Sequence, residues 1–99
     1  MIRHVVLFKL KESVSKEEKL RVANDFKKAI EALKGVIDEI VDIEVGININ
    51  EAESWEIALN STFKTLDDVK KYATHKAHVE AAKILADYKE NRACVDYQL

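Results

Sequence analysis

Residues 2–10 (IRHVVLFKL) carry apolar side chains on both of their alternating faces. Ile2, His4, Val6, Phe8 and Leu10 form one face, and Arg3, Val5, Leu7 and Lys9 the other. The stretch is too short for a capped helix and rich in β-branched and aromatic residues, which predicts a strand. A small antiparallel sheet covered by its own helices needs only one apolar face. The apolar centre of the second face therefore predicts a partner subunit.

Ser15-Lys16-Glu17-Glu18 has the pattern of a capping box, with the Ser15 hydroxyl placed to accept the Glu18 amide. Leu20, Ala23, Phe26, Ile30 and Leu33 then recur every three or four residues, predicting a helix over 15–34 with Gly35 as a left-handed C-terminal cap. Ile37, Val41, Ile43, Val45, Ile47 and Ile49 predict a long second strand, in which Gly46 marks a bulge or bend. Residues 55–63 (WEIALNSTF) predict a third strand, joined to the second as a hairpin. Thr65 caps a further helical stretch led by Asp67 and Asp68. The pattern over 65–88 fits one bent helix or two. Residues 92–97 (RACVDY) predict a closing strand.

The order β-α-β-β-α-β predicts an α+β, ferredoxin-like fold: an antiparallel four-stranded sheet with helices on one face, built from residues 1–99 as a single domain. Two copies packed sheet to sheet would close a dimeric α/β barrel.

Composition narrows the function classes. With 16 Lys+Arg against 18 Asp+Glu the net charge is −2, which argues against a nucleic-acid module or a polybasic membrane anchor. A lone cysteine, Cys94, excludes an intrachain disulfide framework. The run Val5 to Phe8 is broken by Lys9 and Lys11, so no signal-peptide or membrane-span pattern is visible. The expectation is a cytoplasmic protein that binds neither nucleic acid nor membrane.

Histidine can serve as acid or base near neutral pH, and the chain has His4, His75 and His78. His4 shares the strand face of Val6, Phe8 and Leu10, and His78 the helical face of Ala81, Ala82 and Leu85, so both are expected to point inward with Tyr72 and Asp96 nearby. Ala77, Ala81 and Ala82 leave room beneath the helix for a small-molecule cavity. They equally suit close helix-to-sheet packing, and spacing does not separate the two. His75-x-x-His78 is a poor zinc pattern, because helical metal pairs more often sit four apart around a glutamate. No metal or cofactor is expected. His75 more simply caps or lines a helix junction. Cys94 reads as strand packing.

The opening Arg3-His4 to Lys11, the Tyr72-x-x-His75-x-x-His78 motif and the closing Asp96-Tyr97 together resemble the stress-responsive α/β-barrel (Dabb) domain family over essentially the whole chain. That resemblance implies a homodimer with a pocket between sheet and helices in each subunit. Plant members include a polyketide cyclase that resembles a cofactor-free aldol catalyst. Its catalytic histidine and tyrosine match His78 and Tyr72, its first-strand histidine matches His4, and the acid that orients its catalytic histidine matches Asp96. The expected wall comprises His4, Val6, Phe8, Phe26, Ile57, Leu59, His75, Ala81, Ala82 and Arg92. Three positions depart from the pattern. Lys76 stands where a proline is common, Ile57 where the cyclase has a further histidine, and Arg92 where an apolar residue is expected. The implied function is binding of a small hydrophobic or aromatic molecule; a catalytic member would use cofactor-free His/Tyr acid–base chemistry, and the departures argue against the cyclase's own substrate. The alternative is a non-catalytic stress-response dimer with a filled core.

Overall fold

The structure, a computed structural model, describes residues 1–99. The elements are β1 (Ile2–Leu10), α1 (Lys16–Glu31), a 3-10 turn (Ala32–Gly35), β2 (Asp42–Ile47), β3 (Ile57–Phe63), α2 (Leu66–Thr74), α3 (Lys76–Ala82), a second 3-10 turn (Lys83–Leu85) and β4 (Lys89–Gln98). All strand pairs are antiparallel, in the order β2-β3-β1-β4. This is the expected ferredoxin-like βαββαβ plan.

The helices cover one face of the sheet. Val6, Phe8, Leu10, Ile57, Leu59 and Phe63 point into that layer, against Val22, Ala23, Phe26 and Ile30 of α1 and Val69 and Tyr72 of α2. Phe8 meets Phe26 edge-on at 5.4 Å between ring centroids, an arrangement that aromatic quadrupoles favour. Glu31 ties α1 to the sheet edge: its carboxylate accepts from Lys27 Nζ at 2.7 Å and from the Val45 amide at 3.0 Å.

The opposite face of the sheet carries Val5 and Leu7 of β1 beside Ala93, Val95 and Tyr97 of β4. Leu7, Val95 and Tyr97 are exposed there. None of the ten residues of β4 is buried on either side.

Several sequence expectations need correction. The α1 stripe is rotated: Leu20 is 55% exposed, and Val22 takes the buried place. Gly35 has no positive φ; α1 instead tightens into a 3-10 turn, whose i→i+3 bonds satisfy its last carbonyls. Gly46 marks no bulge, since β2 and β3 pair without a register shift; the irregularity lies at Lys9/Leu10 of β1. The second strand is shorter than 37–49. Ile37 is buried in the connection before it, while Ile49 beyond it is 97% exposed. The third strand begins at Ile57 instead of residue 55, and the last runs over Lys89–Gln98 instead of 92–97.

The stretch 65–88 forms two helices. The break falls at His75, whose backbone is extended (φ −63°, ψ 136°) and whose Nδ1 accepts the Ala77 amide at 3.0 Å. The imidazole thus caps α3 with Lys76 in the following position. No helix is long and apolar enough to cross a membrane.

Candidate functional site

Antiparallel register places His4 of β1 directly opposite Asp96 of β4, and Val6 opposite Cys94. Residues two apart on a strand share a face, so Arg92, Cys94 and Asp96 all lie on the helix-facing side, beside His4. His4 is buried. Its Nδ1 lies 2.5 Å from Asp96 Oδ1 and 3.6 Å from Cys94 Sγ. An ionised carboxylate can only accept, so Nδ1 of His4 bears a proton and donates it to Asp96. Burial pushes the Cys94 thiol up from its ordinary value, and the neighbouring Asp96 charge adds to this.

α2 supplies Tyr72 and α3 supplies His78. Tyr72 packs edge-on to His4 at 6.1 Å and face-tilted to His78 at 4.4 Å, centroid to centroid. Its hydroxyl is buried without a hydrogen-bond partner, and burial drives its pKa far up, with Arg92 opposing weakly. The phenol is therefore held protonated.

The His78 Nδ1 lies 2.9 Å from the Ala73 carbonyl. A carbonyl only accepts, so Nδ1 bears the proton and Nε2 keeps its lone pair. Burial lowers the His78 pKa, with smaller contributions from His4, Arg92 and His75 and an opposing one from the Ala73 bond. The ring is thus neutral, with one basic nitrogen, near pH 7. One sequence expectation is corrected here. The Ala73 carbonyl holds His78 through the bend between α2 and α3, and Asp96 holds His4 instead.

Between sheet and helices lies a cavity of about 100 Å³. Val6, Phe8, Phe26, Leu59, Ala82 and Leu85 give it an apolar wall, and His4, His78, Lys89 and Arg92 bring polar or cationic groups to it. Eight of these ten, all but Leu85 and Lys89, are positions singled out from the sequence. Leu85 shares the helical face of His78 and Ala82, a signal that was present. Lys89 carried none, because its place in the wall follows only from the β4 register opposite Leu10.

Other expected wall residues lie elsewhere. Ile57 and Ala81 are packed in the core, and His75 is occupied as the cap of α3. Tyr72, expected as a catalytic partner of His78, packs against its ring but does not line the cavity. A larger open depression of about 450 Å³ lies between the start of α1 and the β2–β3 connection. Four of its charged side chains pair, Lys16 with Glu51 and Lys19 with Glu56, each at 3.3 Å, and Glu53 is left without a cation. It holds none of the histidines.

A four-stranded antiparallel sheet with helices on one face, an apolar opposite face and a histidine-bearing cavity between the layers defines a ferredoxin-like α+β protein. Comparison with known proteins gives its family. The chain belongs to the stress responsive A/B barrel domain family, whose model matches residues 2–99. An uncharacterised protein of Streptomyces coelicolor is 34% identical over 97 residues, covering 89% of this chain and 98% of that one. A crystal structure of a dimeric protein of unknown function and ferredoxin-like fold from Bacteroides fragilis is 60% identical, with a TM-score of 0.98 over 99% of this chain and 95% of that one. The At3g17210 protein of Arabidopsis thaliana is 25% identical, with a TM-score of 0.78 over 100% of this chain and 95% of that one.

Proposed function

We propose that this chain works in the cytoplasm as a homodimer, paired through its bare sheet faces, and binds a small hydrophobic or aromatic molecule in the cavity between sheet and helices. The dimeric state of the 60%-identical relative supports the pairing, as does the row Val5, Leu7, Ala93, Val95 and Tyr97 that the helices leave uncovered. The binding reading rests on one observation: an apolar cavity into which a neutral histidine with a free nitrogen is built.

The size of the cavity limits the ligand. An engineered apolar cavity of about 150 Å³ accepts benzene, so about 100 Å³ suits a ligand of one ring or less. Lys89 and Arg92 at the wall favour a carboxylate or a polarised carbonyl on that ligand.

In the catalytic form of this reading, His78 Nε2 removes a proton beside a carbonyl and Arg92 at the wall stabilises the developing oxyanion, while Tyr72, whose buried hydroxyl does not line the cavity, packs against the His78 ring. Ala73 fixes the base's tautomer, and Asp96 positions His4 at the wall. The proton transfer calls for no cofactor. A non-catalytic dimer whose interior serves as core and takes no ligand is the second reading, and the small volume of the cavity favours it, since ligand sites usually span about 300–1,000 Å³.

Thermal shift against a panel of small aromatic and keto carboxylates separates the two. Binding to the folded state alone raises the melting temperature, by about 2.7 kcal/mol of stability at a hundredfold excess over Kd. A concentration-dependent rise that is lost in Ala82→Trp, which blocks the wall, supports the binding site. A flat response across the panel overturns it.

A further inference from the structure

We propose that His4, Cys94 and Asp96 form a binding site for a divalent transition-metal ion of zinc's class, ligated by Nδ1, Sγ and a carboxylate oxygen. This inference shares His4 with the cavity wall, and Asp96 that holds it, but requires neither a dimer nor an organic ligand. The three donor atoms all lie within 4.8 Å of one another. Cys94 and Asp96 project from the same face of β4, and His4 faces them from the adjacent strand. The three points of the triangle are thus held by a continuous hydrogen-bonded ladder, with no loop involved.

The spacings suit a four-coordinate ion. Tetrahedral bonds of ~2.0–2.3 Å place a sulfur and a nitrogen or oxygen ligand ~3.5 Å apart, and two N/O ligands ~3.3 Å apart. The Sγ–Nδ1 distance is 3.6 Å, and the Sγ–Oδ2 distance is 4.0 Å. Only the Nδ1–Oδ1 pair is closer, at 2.5 Å, because a proton now bridges it. Putting the ion in place of that proton opens the pair by under about 1 Å, a small rotation of the partly exposed Asp96 side chain.

The donor set selects the metal. One thiolate, one imidazole and one carboxylate suit zinc or cobalt, and suit magnesium or calcium poorly. The thiolate and carboxylate together offset the 2+ charge. Arg92, two residues from Cys94 on the same face, is the one cation beside them. Three protein ligands leave a fourth position for water.

Protons balance as follows. The Cys94 thiol loses its proton to solvent, and the His4 proton moves from Nδ1 to Nε2. One proton is therefore released per ion bound wherever the thiol starts protonated.

Cobalt(II) is the probe for the test. Chelator-treated protein should bind one ion per chain, with a near-ultraviolet thiolate-to-cobalt band and the intense visible bands of four-coordinate cobalt, both removed by an equivalent of zinc. Cys94→Ser should lose the thiolate band, and Cys94→Ser and Asp96→Asn should each bind cobalt at least about tenfold more weakly. No thiolate band in the wild type, or a band that survives in Cys94→Ser, overturns the site. A readout on the wild-type chain guards against misfolded variants. Cys94 is the only cysteine, so alkylation reports on it alone. Zinc should slow that reaction at least about tenfold, and an unchanged rate also overturns the site.

Discussion

The carboxylate of Asp96 lies 2.5 Å from Nδ1 of His4, directly across the β1–β4 ladder. His78, the histidine an acid was expected to orient, is held by a backbone carbonyl of the preceding helix instead. The two histidines of the cavity wall are therefore fixed independently, one by a side chain and one by the main chain.

That independence can be measured. Asp96→Ala should remove a charge-assisted hydrogen bond and cost about 1–2 kcal/mol in urea unfolding, the partial exposure of Asp96 keeping the loss modest. Nitrogen NMR of the imidazoles should show His4 losing its preference for the Nδ1-protonated form while His78 keeps its own. A matching change at both rings would show that Asp96 acts on His78 after all.

The bare sheet face makes a second prediction. Leu7 and Val95 are exposed on the side away from the helices. Leu7→Glu should weaken dimerisation at least about tenfold, through a desolvated charge in an apolar contact. Sedimentation velocity at micromolar concentration would then show the wild type as a dimer and the variant largely as single subunits. A wild type that sediments as a stable monomer removes the barrel.

Burial of His78 sets a pH dependence. Its folded pKa lies below the unfolded value, so the unfolded chain takes up the proton first as pH falls below about 6.5. The stability associated with this ring is complete above that pH, declines as pH falls, and levels off below the folded value. His78→Gln should flatten this limb of a stability-versus-pH curve above pH 5. An identical curve for the variant would mean that the ring is not held neutral.

Phe26 closes the cavity wall and meets Phe8 edge-on. Phe26→Ala should cost about 3–5 kcal/mol and enlarge the space between the layers. In urea titrations the midpoint should fall while the slope stays unchanged. A loss below about 1 kcal/mol would mean that the core collapses around the gap.

The candidate site was partly legible in the linear pattern. Strand alternation placed His4, Val6, Phe8 and Leu59 on the helix-facing side, and helical periodicity brought His78 and Ala82 to the sheet. The spacing of His75 also fits a helix junction, where it caps α3, although it does not line the cavity. Leu20 and Val22 show where periodicity falls short. Both fit an apolar stripe, and only the angle at which α1 lies on the sheet decides which is buried.

The sequence by itself determined the order of elements, the fold class and the doubly apolar first strand, because these follow from periods of two and of 3.6 residues and from capping chemistry. Only the tertiary structure decided that Asp96 faces His4, that Ala73 holds His78, and that Cys94 joins the His4–Asp96 pair. Each depends on strand register or on the bend at His75, which bring together residues that no local spacing relates. His4 and Asp96 stand 92 positions apart along the chain, and their pairing exists only because β1 and β4 are neighbours in the sheet.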